Sequence, residues 1–302
     1  MLAAAATSLL GFWAVAATLQ LGLWAWARRV GNWAWVDVGW AASFAAGVAT
    51  WIAWRGAPPW PLAALVVTWS LRLAIYLARD RVIGHPEEGR YVELRRRWGH
   101  GGDGARAFFV FYQAQALLAA VLAVAIVVPF VAAPLGDRGA LRWIGLAIGG
   151  GGLLMEVVAD AQLAAWKRVA AHRGRVCDVG LWRWSRHPNY FGEWCVWLGY
   201  ATYALAYPWG ALAFVGPAII LASIWKVTGI PATEAQALRS RGDAYRRYQA
   251  TTSAFVPWPP RRSIAAWCRP RRCAPASARC GGSACATSSA AARRRSRRAR
   301  RR

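Results

Sequence analysis

Apolar residues along the chain gather into seven long runs separated by short charged loops. The runs cover residues 3–27, 32–54, 59–78, 107–134, 143–166, 190–207 and 211–225. A bilayer-crossing helix needs roughly 20 apolar residues. The pattern therefore predicts an all-α, polytopic membrane bundle of about seven transmembrane helices. The first run, at about 25 residues, is longer than a signal-peptide core of about 7–15, and reads as a retained membrane helix. Pro208-Trp209-Gly210 separates the last two runs as a tight turn.

The loops alternate in charge. Residues 79–106 hold seven Arg, residues 167–186 hold one Lys and five Arg, and the chain after Trp225 is basic. The intervening loops carry Arg55 alone, then Arg138 and Arg142, then no base in 208–210. Basic loops mark the cytoplasmic side, so the N-terminus is expected outside and the C-terminus in the cytoplasm. Seven spans satisfy that parity. Six do so only if the last two runs form a re-entrant pair. Trp24, Trp26, Trp33, Trp35, Trp51, Trp54 and Trp60 stand at run ends, where interfacial belts form.

Composition narrows the class. The 302 residues are 57% hydrophobic and 17% charged, against about 45–50% and about 25% in soluble domains. That excludes an ordinary soluble globule and a disordered chain. The net charge of +25 resembles a nucleic-acid signature, but residues 261–302 alone hold 14 Arg and no acid. We divide the chain into a membrane domain, 1–260, and a basic, low-complexity, disordered tail, 261–302. Anionic lipid is the tail's expected partner, with no motif for specific nucleic-acid binding. Only Lys167 and Lys226 are Lys, a bias that a GC-rich genome would write. The six Cys form no CxxC pair and no common zinc spacing, so no metal site is expected. Glycines 149–152 lack the strand and soluble helix of a phosphate loop and read as close helix packing.

Ionisable groups inside spans are costly and face a cavity or one another. Asp37, Arg72, Glu156, Asp160 and Glu193 form this set. Asp37 and Arg72 suggest an ion pair or a cavity lining. Glu156 and Asp160 share one helix face, so a base must approach them from another element. The densest polar stretch runs from Gly180 to Glu193. Pro188 suits a first helical turn, whose free N–H groups favour an anion. Arg183 and Arg186 add charge suited to phosphate. Arg186, Tyr190, Glu193 and Trp197 make one stripe. A seat for a charged aromatic cofactor and a snorkelling Arg cluster with an interfacial Tyr both fit these residues.

Ser185-Arg186-His187-Pro188-Asn189-Tyr190-Phe191-Gly192-Glu193 resembles the signature of the steroid 5α-reductase C-terminal-like superfamily, most closely its bacterial multi-pass branch. Val36-Asp37-Val38-Gly39-Trp40, Trp69-Ser70-Leu71-Arg72-Leu73, Glu88-Gly89-Arg90-Tyr91, Asp160-Ala161-Gln162 and Thr228-Gly229-Ile230-Pro231 resemble its other segments in the same order, over about residues 30–260. The resemblance implies a membrane reductase of a bacterial inner (plasma) membrane that binds NADPH on the cytoplasmic side. Hydride would pass to the activated double bond of a lipid-like enone: steroid-like, fatty or isoprenoid. By the same resemblance Lys167, Arg183 and Arg186 would meet the phosphates, with Gln162 at the same helix exit. His187, Asn189, Tyr190 and Glu193 would hold ribose and nicotinamide. Glu234, Arg241, Tyr245 and Tyr248 would close over the adenine end. Asp37 and Tyr76 are the candidates, by type and depth, for polarising the substrate carbonyl.

Two other functions compete. Isoprenylcysteine-type methyltransferases, which use S-adenosylmethionine, carry a related helix start. A non-catalytic lipid-binding protein would bind no cofactor. The cations favour NADPH, because the sulfonium cofactor carries no phosphate.

Overall fold

The computed structural model describes residues 2–261, except 57, 100 and 228. The expectations for the basic tail, for Cys268, Cys273, Cys280 and Cys285, and for Thr228 lie outside the described residues. Among the described residues there is no strand. The helices are α1 (Leu2–Val30), α2 (Trp35–Arg55), α3 (Trp60–Leu77), α4 (Gly89–Trp98), α5 (Gly102–Val131), α6 (Gly139–Arg168), α7 (Pro188–Ala204), α8 (Val215–Ala222), α9 (Ile230–Arg241) and α10 (Asp243–Thr251). A widened turn, Ala78–Val82, continues α3.

Six stretches are long and apolar enough to cross a membrane: α1, α2, α3 with its extension, α5, α6 and the run Gly210–Arg241. The chain is thus an integral membrane protein. The run expected at 190–207 becomes α7, whose 17 residues span roughly 26 Å at about 1.5 Å per residue. As the sequence predicts, Pro188 is the first residue of α7; its missing N–H costs nothing there.

An aromatic core ties the bundle together. Phe44 of α2 meets Trp69 of α3 at 5.4 Å and Trp197 of α7 at 5.3 Å, ring centre to ring centre. Tyr200 lies 5.6 Å from Trp197. Edge-on contacts of this kind add about 0.5–1.5 kcal/mol beyond burial.

The closest packing joins α6 to α7, and glycine makes it. A Cβ on Gly152 would lie 2.6 Å from the Gly192 carbonyl oxygen, and one on Gly199 would lie 2.5 Å from the Gly149 Cα. Of the glycine run, only Gly149 and Gly152 face α7; Gly150 and Gly151 meet nothing within 4 Å. The same α6 stripe continues through Glu156 and Asp160, and the facing α7 stripe begins at Asn189. Small residues thus bring two backbones together and set their polar residues face to face.

Candidate functional site

Where the glycine seam ends, a buried charge cluster begins. Glu156 and Asp160 are 4% and 6% exposed. Arg72 reaches them from α3: its Nη1 donates to Asp160 Oδ2 at 2.9 Å, and its Nη2 pairs with Glu156 Oε1. This is the base from another element that the two acids require. Asn189 Nδ2 donates to Asp160 Oδ1 at 3.2 Å. One turn deeper, Glu193 accepts from the Trp69 and Trp197 indoles at 2.8 and 2.9 Å. Capacity remains unfilled: Arg72 Nε, Glu156 Oε2 and the Tyr200 hydroxyl are buried without a hydrogen-bond partner among the described residues.

Cations surround the end of this cluster where α3 and α6 finish and α7 starts. Arg81, in the widened turn after α3, pairs with Glu88 at 3.2 Å. Its charge neighbourhood includes Tyr76 and Tyr190. Lys167 lies near Arg81, Arg241 and Asp160. Tyr76 stands beside Arg72, whose guanidinium is 5.9 Å from the ring centre. Asp37 pairs with Arg90, and Arg90 also holds Glu88 at 3.0 Å. Burial opposes the Arg90 charge, but Asp37, Tyr91 and Glu88 outweigh it and raise the guanidinium above its ordinary value. The α4 segment is latched further by Glu87, which accepts from the Trp33 N–H at 2.7 Å and pairs with Arg95 at 2.9 Å.

A second polar assembly, a knot, sits between the α7 start and the C-terminal segment. Glu234 Oε1 accepts from Arg186 Nε at 2.6 Å and meets His187 Nε2 at 3.3 Å; the Tyr245 hydroxyl donates to it at 3.4 Å. Glu234 Oε2 accepts from Gln249 Nε2 at 2.7 Å. Arg186 Nη1 also donates to the carbonyls of Gln249 and Thr252, at 3.1 and 2.6 Å. The Tyr248 hydroxyl donates to the Trp182 carbonyl. Burial raises the Tyr245 and Tyr248 phenols above their usual value. The segment closes with Arg186 N donating to Ser253 O at 2.8 Å and Ser185 Oγ to Phe255 O at 2.7 Å.

The predicted site residues therefore divide. Asn189 joins the buried cluster with Glu193 beneath it, whereas Tyr190 stacks on His187 at 5.2 Å and its hydroxyl meets Thr233 Oγ1 at 3.2 Å. Lys167 and Arg241 stand near one another. Arg186, His187, Glu234 and Tyr245 come together in the knot, with Tyr248 beside them. Arg183 is exposed. Arg186 is thus turned into the knot, whereas the sequence groups it with Lys167 and Arg183. Gln162 supports a loop: its Oε1 accepts the Leu181 N–H at 2.9 Å. The expected Asp37–Arg72 pair does not form; Asp37 takes Arg90, and Arg72 takes Glu156 and Asp160. The stripe from Arg186 to Trp197 also divides, because Glu193 faces indoles while Arg186 faces Glu234. Sequence reasoning missed Arg81, Trp69 and Gln249 as site components. Trp69 carries a signal, since it opens the segment that contains Arg72.

No curated protein and no solved structure matches the chain. The family described as "Protein of unknown function (DUF1295)" matches residues 23–252, a span that contains both the buried cluster and the knot. The chain belongs to that family, which is part of the steroid 5α-reductase-like superfamily.

Proposed function

We propose that the protein is a membrane-embedded, NADPH-dependent reductase acting on the activated double bond of a lipid-like enone. One observation carries this reading: a buried cluster with unfilled hydrogen-bonding capacity lies beside a group of cations. Buried polar atoms without partners are rare in native folds and ask for a ligand or water. Arg72 Nε, Glu156 Oε2 and the Tyr200 hydroxyl supply both donors and acceptors, which suits a carboxamide. Arg81, Lys167 and Arg241 suit the phosphates. Asn189, on Asp160, and Tyr190, stacked on His187, would hold ribose and nicotinamide.

When bound, NADPH supplies hydride; the protein orients it and excludes water. Tyr76 donates a hydrogen bond to the substrate carbonyl, because its hydroxyl is taken by no partner among the described residues. Asp37, occupied by Arg90, ties α2 to α4 and leaves the donor role to Tyr76. The knot residues Arg186, His187, Glu234, Tyr245 and Tyr248 bind each other and fix the start of α7, so their part in cofactor binding is positional. The topology in this reading has seven crossings, with the N-terminus outside and the C-terminus cytoplasmic, in a bacterial inner membrane. This reading assigns the chain to the bacterial multi-pass branch of the superfamily. The Arg-rich tail would meet anionic lipid.

The test is thermal stability of the full chain in detergent with NADPH, NADH or S-adenosylmethionine. A ligand that binds only the folded state, at about 100 times its Kd, stabilises by about 2.7 kcal/mol. We expect that shift with NADPH, and a smaller one in Lys167→Gln. A shift with S-adenosylmethionine alone would assign a methyltransferase, and no shift with any of the three would assign a lipid-binding protein.

A further inference from the structure

The opposite end of the bundle holds a cavity that the reductase reading does not use. It has a volume of about 430 Å³ and lies among the starts of α3 and α6 and the ends of α5 and α7. The buried charge cluster occupies the other ends of α3, α6 and α7, so the two sites are separated along the helices. Five prolines (Pro58, Pro59, Pro61, Pro129 and Pro134) shape its wall. Proline has no N–H, so these wall positions offer no backbone donor.

The polar side chains of the lining are donors. They are Arg142, Tyr203, Tyr207, Trp60 and Trp143, and no carboxylate lines the cavity. Arg142 Nε is buried without a hydrogen-bond partner among the described residues. Tyr203 neighbours both Tyr207 and the Arg142 guanidinium, and the two phenol rings stack at 5.9 Å. A buried or half-buried cation without a counter-ion is costly, and a guanidinium matches the oxygens of a phosphate in shape and charge. Trp60 and Trp143, at the rim, are 62% and 69% exposed. Exposed indoles of this kind sit at the level of lipid headgroups. The ligand is therefore met at the membrane interface, with apolar walls beside its charge.

We propose that this cavity binds the phosphate head of an anionic amphiphile from the leaflet opposite the candidate active site. Arg142 and Tyr203 hold the phosphate oxygens, and the proline and indole walls take the first carbons of the chain. A free phosphate ion shares the charge but would make no use of those walls.

Native mass spectrometry of the full chain, released from mild detergent, tests this. The probes are dihexanoyl phosphatidylglycerol, dihexanoyl phosphatidylcholine and inorganic phosphate. Both lipids carry a phosphodiester, but the choline cation neutralises it and is repelled by Arg142, so we expect phosphatidylglycerol to bind at least about tenfold more tightly than phosphatidylcholine. Arg142→Gln should remove that preference, Arg142→Lys should keep part of it, and Tyr203→Phe, which preserves shape, should weaken it several-fold. The basic tail is common to every variant, so any lipid it holds is a constant background against which the variants are compared with the parent. Arg138→Gln, at a basic residue that precedes α6 and lies outside the lining, should leave the preference intact. An unchanged preference in Arg142→Gln overturns the proposal, as does inorganic phosphate binding as tightly as the lipid.

Discussion

The buried cluster around Arg72 and the knot around Glu234 are built from the same residue types but end in opposite states of satisfaction. In the knot, both oxygens of Glu234 are taken, two nitrogens of Arg186 are taken, and Tyr248 reaches a backbone carbonyl. In the cluster, one guanidinium faces two carboxylates with a third below, and three polar atoms have no partner. A satisfied network fixes geometry, whereas an incompletely satisfied buried one is expensive to keep. In the proposed function ligand binding belongs to the cluster and positioning to the knot, although the sequence motif that announces the site runs through both.

The harshest way to break the contrast is Arg72→Met. Removing one partner of a buried ion pair typically costs about 3–5 kcal/mol, and here two carboxylates lose their base together. We expect a large fall in melting temperature and no NADPH shift in whatever folds. Next is Glu234→Gln, which weakens charge-assisted bonds worth about 1.5–3 kcal/mol each. It should lower stability yet keep the NADPH shift, which a stabilisation assay with and without cofactor will separate. If Glu234→Gln abolishes the shift while folding normally, the knot binds cofactor directly and the division fails.

Gly152→Val sharpens the comparison from the packing side. Overpacking costs about 1–3 kcal/mol, and here the clash is with the α7 backbone. The cofactor shift should shrink along with stability, because α6 and α7 carry the cluster between them. The smallest effect concerns pH. Tyr245 and Tyr248 have folded-state values raised above the unfolded value of about 10. Their contribution is complete below pH about 10 and is lost as pH rises through the folded values. Tyr248→Phe should therefore give a shallower loss of melting temperature between neutral and alkaline pH than the parent.

Much of the fold was legible because lipid imposes a simple rule on helix length and polarity. The apolar runs, the proline start of α7 and the need for a base opposite Glu156 and Asp160 follow from spacing within single helices. Which base would answer did not follow. Arg72 meets acids 84 and 88 residues away, Asp37 finds Arg90 53 residues away, and Arg186 finds Glu234 48 residues away. Charge attracts without regard to sequence distance, so only the packing of helices decides among several chemically equal partners. The glycine run shows the same limit at finer scale: four consecutive glycines look alike, yet helical rotation turns only Gly149 and Gly152 toward α7.

That contact leaves no room for rotational play. Because the two backbones touch through bare hydrogens, the azimuth of every α6 side chain is inherited from the glycine seat. One extra residue inserted between Gly152 and Glu156 would keep the seat but swing both acids by about 100°, out toward lipid, dismantling the charge cluster without altering a single one of its members.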